Sequence, residues 1–152
     1  MGPTNLLHRA NELAERLARP LPTLLLLAIR FYVPWQFFKA GLVKLEDWNG
    51  TLWLFREEYH VPVLPPDAAA LLGTAGELAF PVLLALGLLT RWAALGLSFV
   101  NAMAVVSYSH VLFADGYEAA LGQHVLWGSL LAVLVVFGGG RASLDAWIAS
   151  RR

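Results

Sequence analysis

With 58% hydrophobic and only 14% charged residues in a chain of 152, there is more apolar surface than a water-soluble domain of this size can bury. A formal net charge of zero offers no long-range field to a polyanion such as nucleic acid. The absence of cysteine excludes disulfides, thiolate metal sites, c-type haem attachment and thiol–disulfide exchange, so any redox role must use a borrowed cofactor.

In chain order, residues 1–19 form the first unit. Leu6, Ala10, Leu13 and Leu17 recur at helical spacing among His8, Arg9, Glu12, Glu15, Arg16 and Arg19, with Thr4 or Asn5 as the N-cap. This pattern predicts an amphipathic helix on the membrane surface or docked on its cytoplasmic side. Pro20 and Pro22 end it. The next apolar run, Leu24 to Val33, is broken by Arg30 and followed by no small-residue cleavage site, so it reads as retained rather than as a signal peptide.

Crossing a hydrocarbon core of about 30 Å takes about 20 apolar residues in a helix rising about 1.5 Å per residue. Residues 21–137 contain four such windows: Leu21 to Leu42, Ala68 to Leu89, Trp92 to Phe113 and Ala119 to Phe137. Between the first two, Trp48, Trp53, Phe55 and Tyr59 suit a short interfacial helix over Asn49 to Tyr59, with Val61 to Pro66 as an extended return. Residues 138–152 form a tail with a second surface helix from Ser143 after Gly138-Gly139-Gly140. The expected fold is all-α: an integral membrane four-helix bundle with an N-terminal amphipathic helix and a short outer interfacial helix.

Basic residues set the orientation. One side gathers Arg9, Arg16, Arg19, Arg91, Arg141, Arg151 and Arg152 against Glu12, Glu15 and Asp145; the other gathers Lys39, Lys44 and Arg56 against Glu46, Asp47, Glu57, Glu58, Asp67, Asp115 and Glu118. The first side is therefore expected to be cytoplasmic. Four crossings then place both termini there.

Two charges fall inside the windows, where insertion costs about 2.5 to 3.5 kcal/mol each. Arg30 lies nine residues past Leu21 and Glu77 nine past Ala68, which predicts an ion pair near the midplane. Such a pair serves either packing specificity or proton conduction. Toward the outer face lie Lys39, Glu46, Asp47, Tyr108, His110, Gln123 and His124, with Trp127 one turn below His124. Lys39, Tyr108, His110, His124 and Trp127 are the candidate cofactor contacts, since Lys, Tyr and His donate to carbonyl oxygens and the indole supplies an aromatic wall. For any single histidine, simple interfacial hydration is the favoured explanation of its place, and the cluster is more suggestive than any one member.

His60, His110 and His124 have no recognised ligand spacing, so no metal site is expected, and a haem held by His110 and His124 would lie close to the surface. No phosphate loop, Ser-His-Asp set or HExxH motif appears. Pro34 and Pro81 interrupt the first two windows, and Ala69, Gly73, Gly76 and Ala79 give the second a face for close packing. Asn101 is expected to bond a neighbouring helix.

The order Arg30, Phe38-Lys39-Ala40-Gly41, Lys44-Leu45-Glu46-Asp47-Trp48, Tyr59, Pro62 to Pro66, Glu77-Leu78, Leu86 to Arg91, His124 and Trp127 resembles the DoxX family of small bacterial four-helix membrane proteins, over about Leu24 to Phe137. The resemblance implies a redox-associated subunit of the bacterial inner membrane. Some members accompany thiosulfate:quinone oxidoreductase or terminal quinol oxidase; others partner oxidative-stress and thiol-handling enzymes. It places the family's polar positions on Arg30, Lys39, Lys44, Glu77, Arg91 and His124, whereas His110 and the N-terminal helix fall outside its pattern. The expected ligand is a quinone or a similar lipophilic carrier near the outer face. A non-catalytic anchor that recruits a soluble partner through the surface helices is the alternative. A small-solute permease ranks third, because four spans make a narrow pathway unless the protein oligomerises.

Overall fold

A computed structural model describes residues 3–151, with the side chains of residues 3–7 and 10 outside the description. The N-cap expected at Thr4 or Asn5 and the apolar positions Leu6 and Ala10 lie outside the described side chains. Among the described residues there are eight helices and no strand: α1 Pro3–Ala18, α2 Leu21–Glu46, α3 Trp48–Glu57, α4 Pro66–Leu86, α5 Thr90–Ser107, α6 Ser109–Leu112, α7 Glu118–Phe137 and α8 Leu144–Ala149.

Local chemistry sets the breaks. Pro20 and Pro22 stand at the start of α2, where a missing N–H costs nothing. Pro34 and Pro81 are buried inside α2 and α4, which continue through them. Asp47 leaves helical geometry and caps α3 by accepting from Gly50 N at 2.9 Å. Gly87, with φ +69°, ends α4 in the left-handed conformation while Leu88 N donates back to Leu83 O at 2.9 Å.

Helices α2, α4 and α7 lie in stretches long and apolar enough to cross a membrane, the first stretch running from Asn11 to Glu46. The third window behaves differently from its expectation. Helix α5 starts at Thr90 with Arg91 in its first turn, carries Ser98 and Asn101, and stops at Ser107, after which only the short α6 continues toward Phe113. Those polar residues lower its hydropathy below that of the other three.

Packing runs in a circuit: α2 against α4, α4 against α5, α5 against α7, and, least closely, α7 against α2. The interior is filled by Ile29, Val33, Phe37, Leu84, Ala93, Ala94, Leu97, Leu131 and Leu134. Close approach depends on missing side chains. A Cβ on Gly41 would lie 2.8 Å from Leu78, one on Gly76 would lie 2.9 Å from Val100, and one on Gly96 would enter the Phe80 ring. Ala69 and Gly76 face inward as the small-residue pattern implies, whereas Ala79 is exposed. A second cluster, Phe55 with Ala69 and Ala70, seats α3 on the start of α4 with Trp48, Leu52, Tyr59 and Val61 around it.

The outward face is predominantly apolar. Phe31, Trp35, Leu71, Leu72, Phe99, Val125, Val136 and Phe137 are all exposed. A continuous surface of this kind needs lipid rather than water around it, and the chain is a membrane protein.

Candidate polar site within the membrane

Arg30 and Glu77 do not pair. Glu77 receives Lys44 Nζ at 2.8 and 2.6 Å, one contact to each carboxylate oxygen. Arg30, 2% exposed, instead donates to four carbonyls: Leu84 O at 2.8 Å, Ala85 O at 2.7 Å, Gly139 O at 3.0 Å and Ala142 O at 2.6 Å. The reason is register. The first turns of α2 extend beyond the ends of α4 and α7, so Arg30 lies level with Leu84, while Gly41 packs on Glu77 and Leu78. Eleven residues of helix, roughly 16 Å, separate those two levels.

The Arg30 level is closed by the chain segment after α7. Asp145 accepts from Leu89 N at 2.8 Å, Thr90 N at 2.8 Å and Thr90 Oγ1 at 2.7 Å, so it caps α5 from a distant part of the chain. Leu89 sits at φ +49°, an uncommon conformation for a residue with a side chain, and this cap helps hold it. Partial burial works against the Asp145 charge, but the donors from Thr90 and Leu89, with Arg30 nearby, bring its carboxyl below the ordinary carboxylate range. A Cβ on Gly87 would strike the Arg30 guanidinium, and one on Gly139 would lie 2.6 Å from Thr90 Oγ1. Glycine is therefore required at both places.

At the Glu77 level all four long helices contribute polar groups. Because Gly76 abuts Val100, the neighbouring positions Glu77 and Asn101 share a tier. Asn101 Nδ2 donates to His124 O at 2.9 Å, and Asn101 Oδ1 lies 2.8 Å from His124 Nδ1. One turn inward, Trp127 meets His124 edge-on at 5.1 Å between ring centroids and Phe37 at 5.4 Å. Lys44 from α2, Glu77 from α4, Asn101 from α5 and His124 from α7 thus form one polar layer above the apolar core.

Two polar atoms near this layer are buried without a partner among the described residues: Trp127 Nε1 and Thr74 Oγ1. An unmade bond of this kind costs about 1–3 kcal/mol. Each such group calls for an explanation.

The other candidate contacts lie elsewhere. Tyr108 and His110 join Tyr59 and His60 in a chain of rings: Tyr59 to Tyr108 at 5.3 Å, Tyr108 to His110 at 5.3 Å and His110 to His60 at 4.6 Å. His60 N donates to Ser107 O at 2.8 Å, which ties the α3–α4 connection to the end of α5. Burial, then the proximity of Tyr108 and Glu77, raises the Tyr59 phenol. Lys39 is exposed and lies over the Trp35 ring at 5.9 Å, outside the body of the protein. Gln123 is exposed too.

The five candidate contacts therefore divide into an interior pair, an end cluster and an outlying lysine. Lys44 and Asn101 complete the interior set, and neither was paired with its partner from sequence. Lys44 lies two residues beyond the end assigned to the first window, so it was not counted as intramembrane. Among the described residues no cluster of three or more His, Asp or Glu side chains could hold a metal. Two open surface clefts, about 560 Å³ beside Arg91, Arg141 and Asp145 and about 370 Å³ beside Asp115 and Glu118, contain none of the candidate contacts.

No solved structure matches the chain. It is 33% identical over 131 residues to an uncharacterized protein of Haemophilus influenzae, covering 81% of this chain and 82% of that one. The DoxX family model matches residues 25–110, which takes in Arg30, Lys44, Glu77 and Asn101. On that family match, which spans more than half of the chain, the chain belongs to the DoxX family.

Proposed function

We propose that this protein is a redox-associated subunit of the bacterial inner membrane that binds a quinone or similar lipophilic carrier at the polar layer of Lys44, Glu77, Asn101 and His124. In this reading α5 is a fourth span. Its flanks are covered by α4 and α7, so Thr90, Asn101 and Ser107 are buried in protein rather than facing lipid. Both termini are cytoplasmic, with Arg91, Arg141 and Arg151 at that side and the Glu77 level toward the outer face.

The observation that carries the reading is the unpaired Trp127 Nε1 beside His124, at the seam where α2 and α7 pack least closely. A free donor thus lies next to an imidazole at the least closely packed of the four seams. A flat lipophilic ring with oxygen at its edge suits such a place. Solvent extraction of the purified protein should yield a quinone, and a short-chain quinone should bind in one or both redox states. An empty extract together with no binding of either state would remove the proposal.

A second reading rests on α1, where every side chain from Asn11 to Ala18 is exposed. There the protein is a non-catalytic anchor whose N-terminal helix recruits a soluble partner. Deleting residues 1–19 should then abolish function in cells while quinone binding, if present, persists.

A further inference from the structure

Resting on the quinone-site reading, we infer that the site is matched to the reduced, hydroxyl-bearing quinol rather than to the oxidised quinone, with His124 Nε2 accepting the hydroxyl proton and Trp127 Nε1 donating to the same oxygen.

The argument begins at Asn101. Its amide nitrogen is committed to His124 O, so the atom facing His124 Nδ1 is the amide oxygen, which can only accept. Nδ1 must therefore carry the proton. A neutral imidazole with Nδ1 protonated presents a bare lone pair at Nε2, and Nε2 makes no hydrogen bond among the described residues.

Trp127 is the complementary case. Indole N–H is a donor only, and here it has no acceptor among the described residues. The neighbouring rings thus offer one free acceptor and one free donor. A quinone carbonyl oxygen accepts but cannot donate, so it satisfies Trp127 and leaves its own lone pairs facing that of His124. A quinol hydroxyl does both: it accepts from the indole and donates to the imidazole. Donor and acceptor character, rather than shape, separates the two forms.

Entry follows from packing. The α2–α7 seam is the loosest of the four, and Phe37 seals it by meeting Trp127 edge-on. A lipophilic molecule in the bilayer reaches the pair by displacing that ring, without passing through water.

The test uses the full chain in detergent micelles under anaerobic conditions, titrated calorimetrically with decyl-benzoquinol and decyl-benzoquinone. The quinol should bind about tenfold tighter or better, the worth of one retained hydrogen bond. His124→Ala should abolish that preference. Trp127→Phe, which keeps an aromatic ring and leaves the Asn101–His124 bonds in place, should weaken both forms by similar factors. Equal affinities, tighter quinone binding, a preference that survives in a folded His124→Ala variant, or Trp127→Phe without effect would each overturn the inference while leaving the quinone site standing. Failure of both probes to bind the unaltered protein would overturn the site as well.

Discussion

The Arg30 end and the Glu77 end handle a buried charge in opposite ways. Arg30 has no carboxylate in contact; four carbonyls from the end of α4 and the segment after α7 surround it, and Asp145 locks the same junction from the other side. Glu77 is neutralised by a single lysine, and near that polar layer two buried polar atoms have no partner among the described residues. Full satisfaction marks a joint that must hold its shape. Incomplete satisfaction marks a place where something else can bind.

If that contrast is right, the largest loss of stability belongs to Arg30. Arg30→Leu would strand the carbonyls of Ala85, Gly139 and Ala142, leave Leu84 O with its bond from Gly87 N alone, and separate three chain segments, lowering stability in detergent by about 3–4 kcal/mol. Arg30→Lys should recover only part, because an ammonium cannot reproduce the planar fork that reaches Leu84 and Gly139 together. Reversible unfolding in mixed SDS micelles would measure both. A loss under about 1 kcal/mol for Arg30→Leu would break the comparison.

At the other end, Glu77→Ala leaves Lys44 without its counter-ion and should cost about 2–3 kcal/mol, discounted because the pair is only partly buried. The double change Lys44→Met with Glu77→Leu should restore most of that, since the charge and its partner leave together. An additive double mutant would show that the pair is not the unit the distances imply.

How far the sequence alone reaches can be read from these same residues. Hydropathy placed α2, α4 and α7 to within a few residues, and Pro20 marked a break by chemistry that depends on no distant contact. The third window overran α5 by six residues, however, and the stops at Asp47 and Gly87 were not anticipated, the second window running on to Leu89. Partner choice was another matter. Counting nine residues from each helix start put Arg30 opposite Glu77, but α2 begins well beyond the ends of its neighbours, and no local signal records that offset. Asp145 was legible only as a charge on a surface tail; that it caps α5 depends on a fold-back spanning the whole of α7. The bond between Asn101 and another helix was anticipated, yet its partner His124 was set by helix register rather than by spacing.

Asp145 also gives the comparison a pH axis. Its carboxyl is depressed in the folded protein, so its contribution to stability is complete above the unfolded value of about 3.9 and is lost as pH falls through the lower folded value. Asp145→Asn should therefore cost about 1–2 kcal/mol at pH 7, and the gap to the unaltered protein should close as pH falls below about 4. Unfolding curves at matched detergent and several pH values would show this. A gap that stays constant with pH would mean that the side chain's shape, not its charge, makes the cap.

The smallest effect has the opposite sign. Thr74 is 2% exposed, lies one turn from Glu77 on α4, and its hydroxyl has no partner among the described residues. Valine matches threonine closely in shape and adds no polar atom, so Thr74→Val should remove an unmade bond and stabilise the protein by up to about 1 kcal/mol. No equivalent gain is available near Arg30, where every comparable change removes a bond that is made. If Thr74→Val instead destabilises by a similar amount, the hydroxyl is bonded in the membrane, and the contrast between the two ends narrows to a single atom. The reason for placing a ligand there would then rest on Trp127 alone.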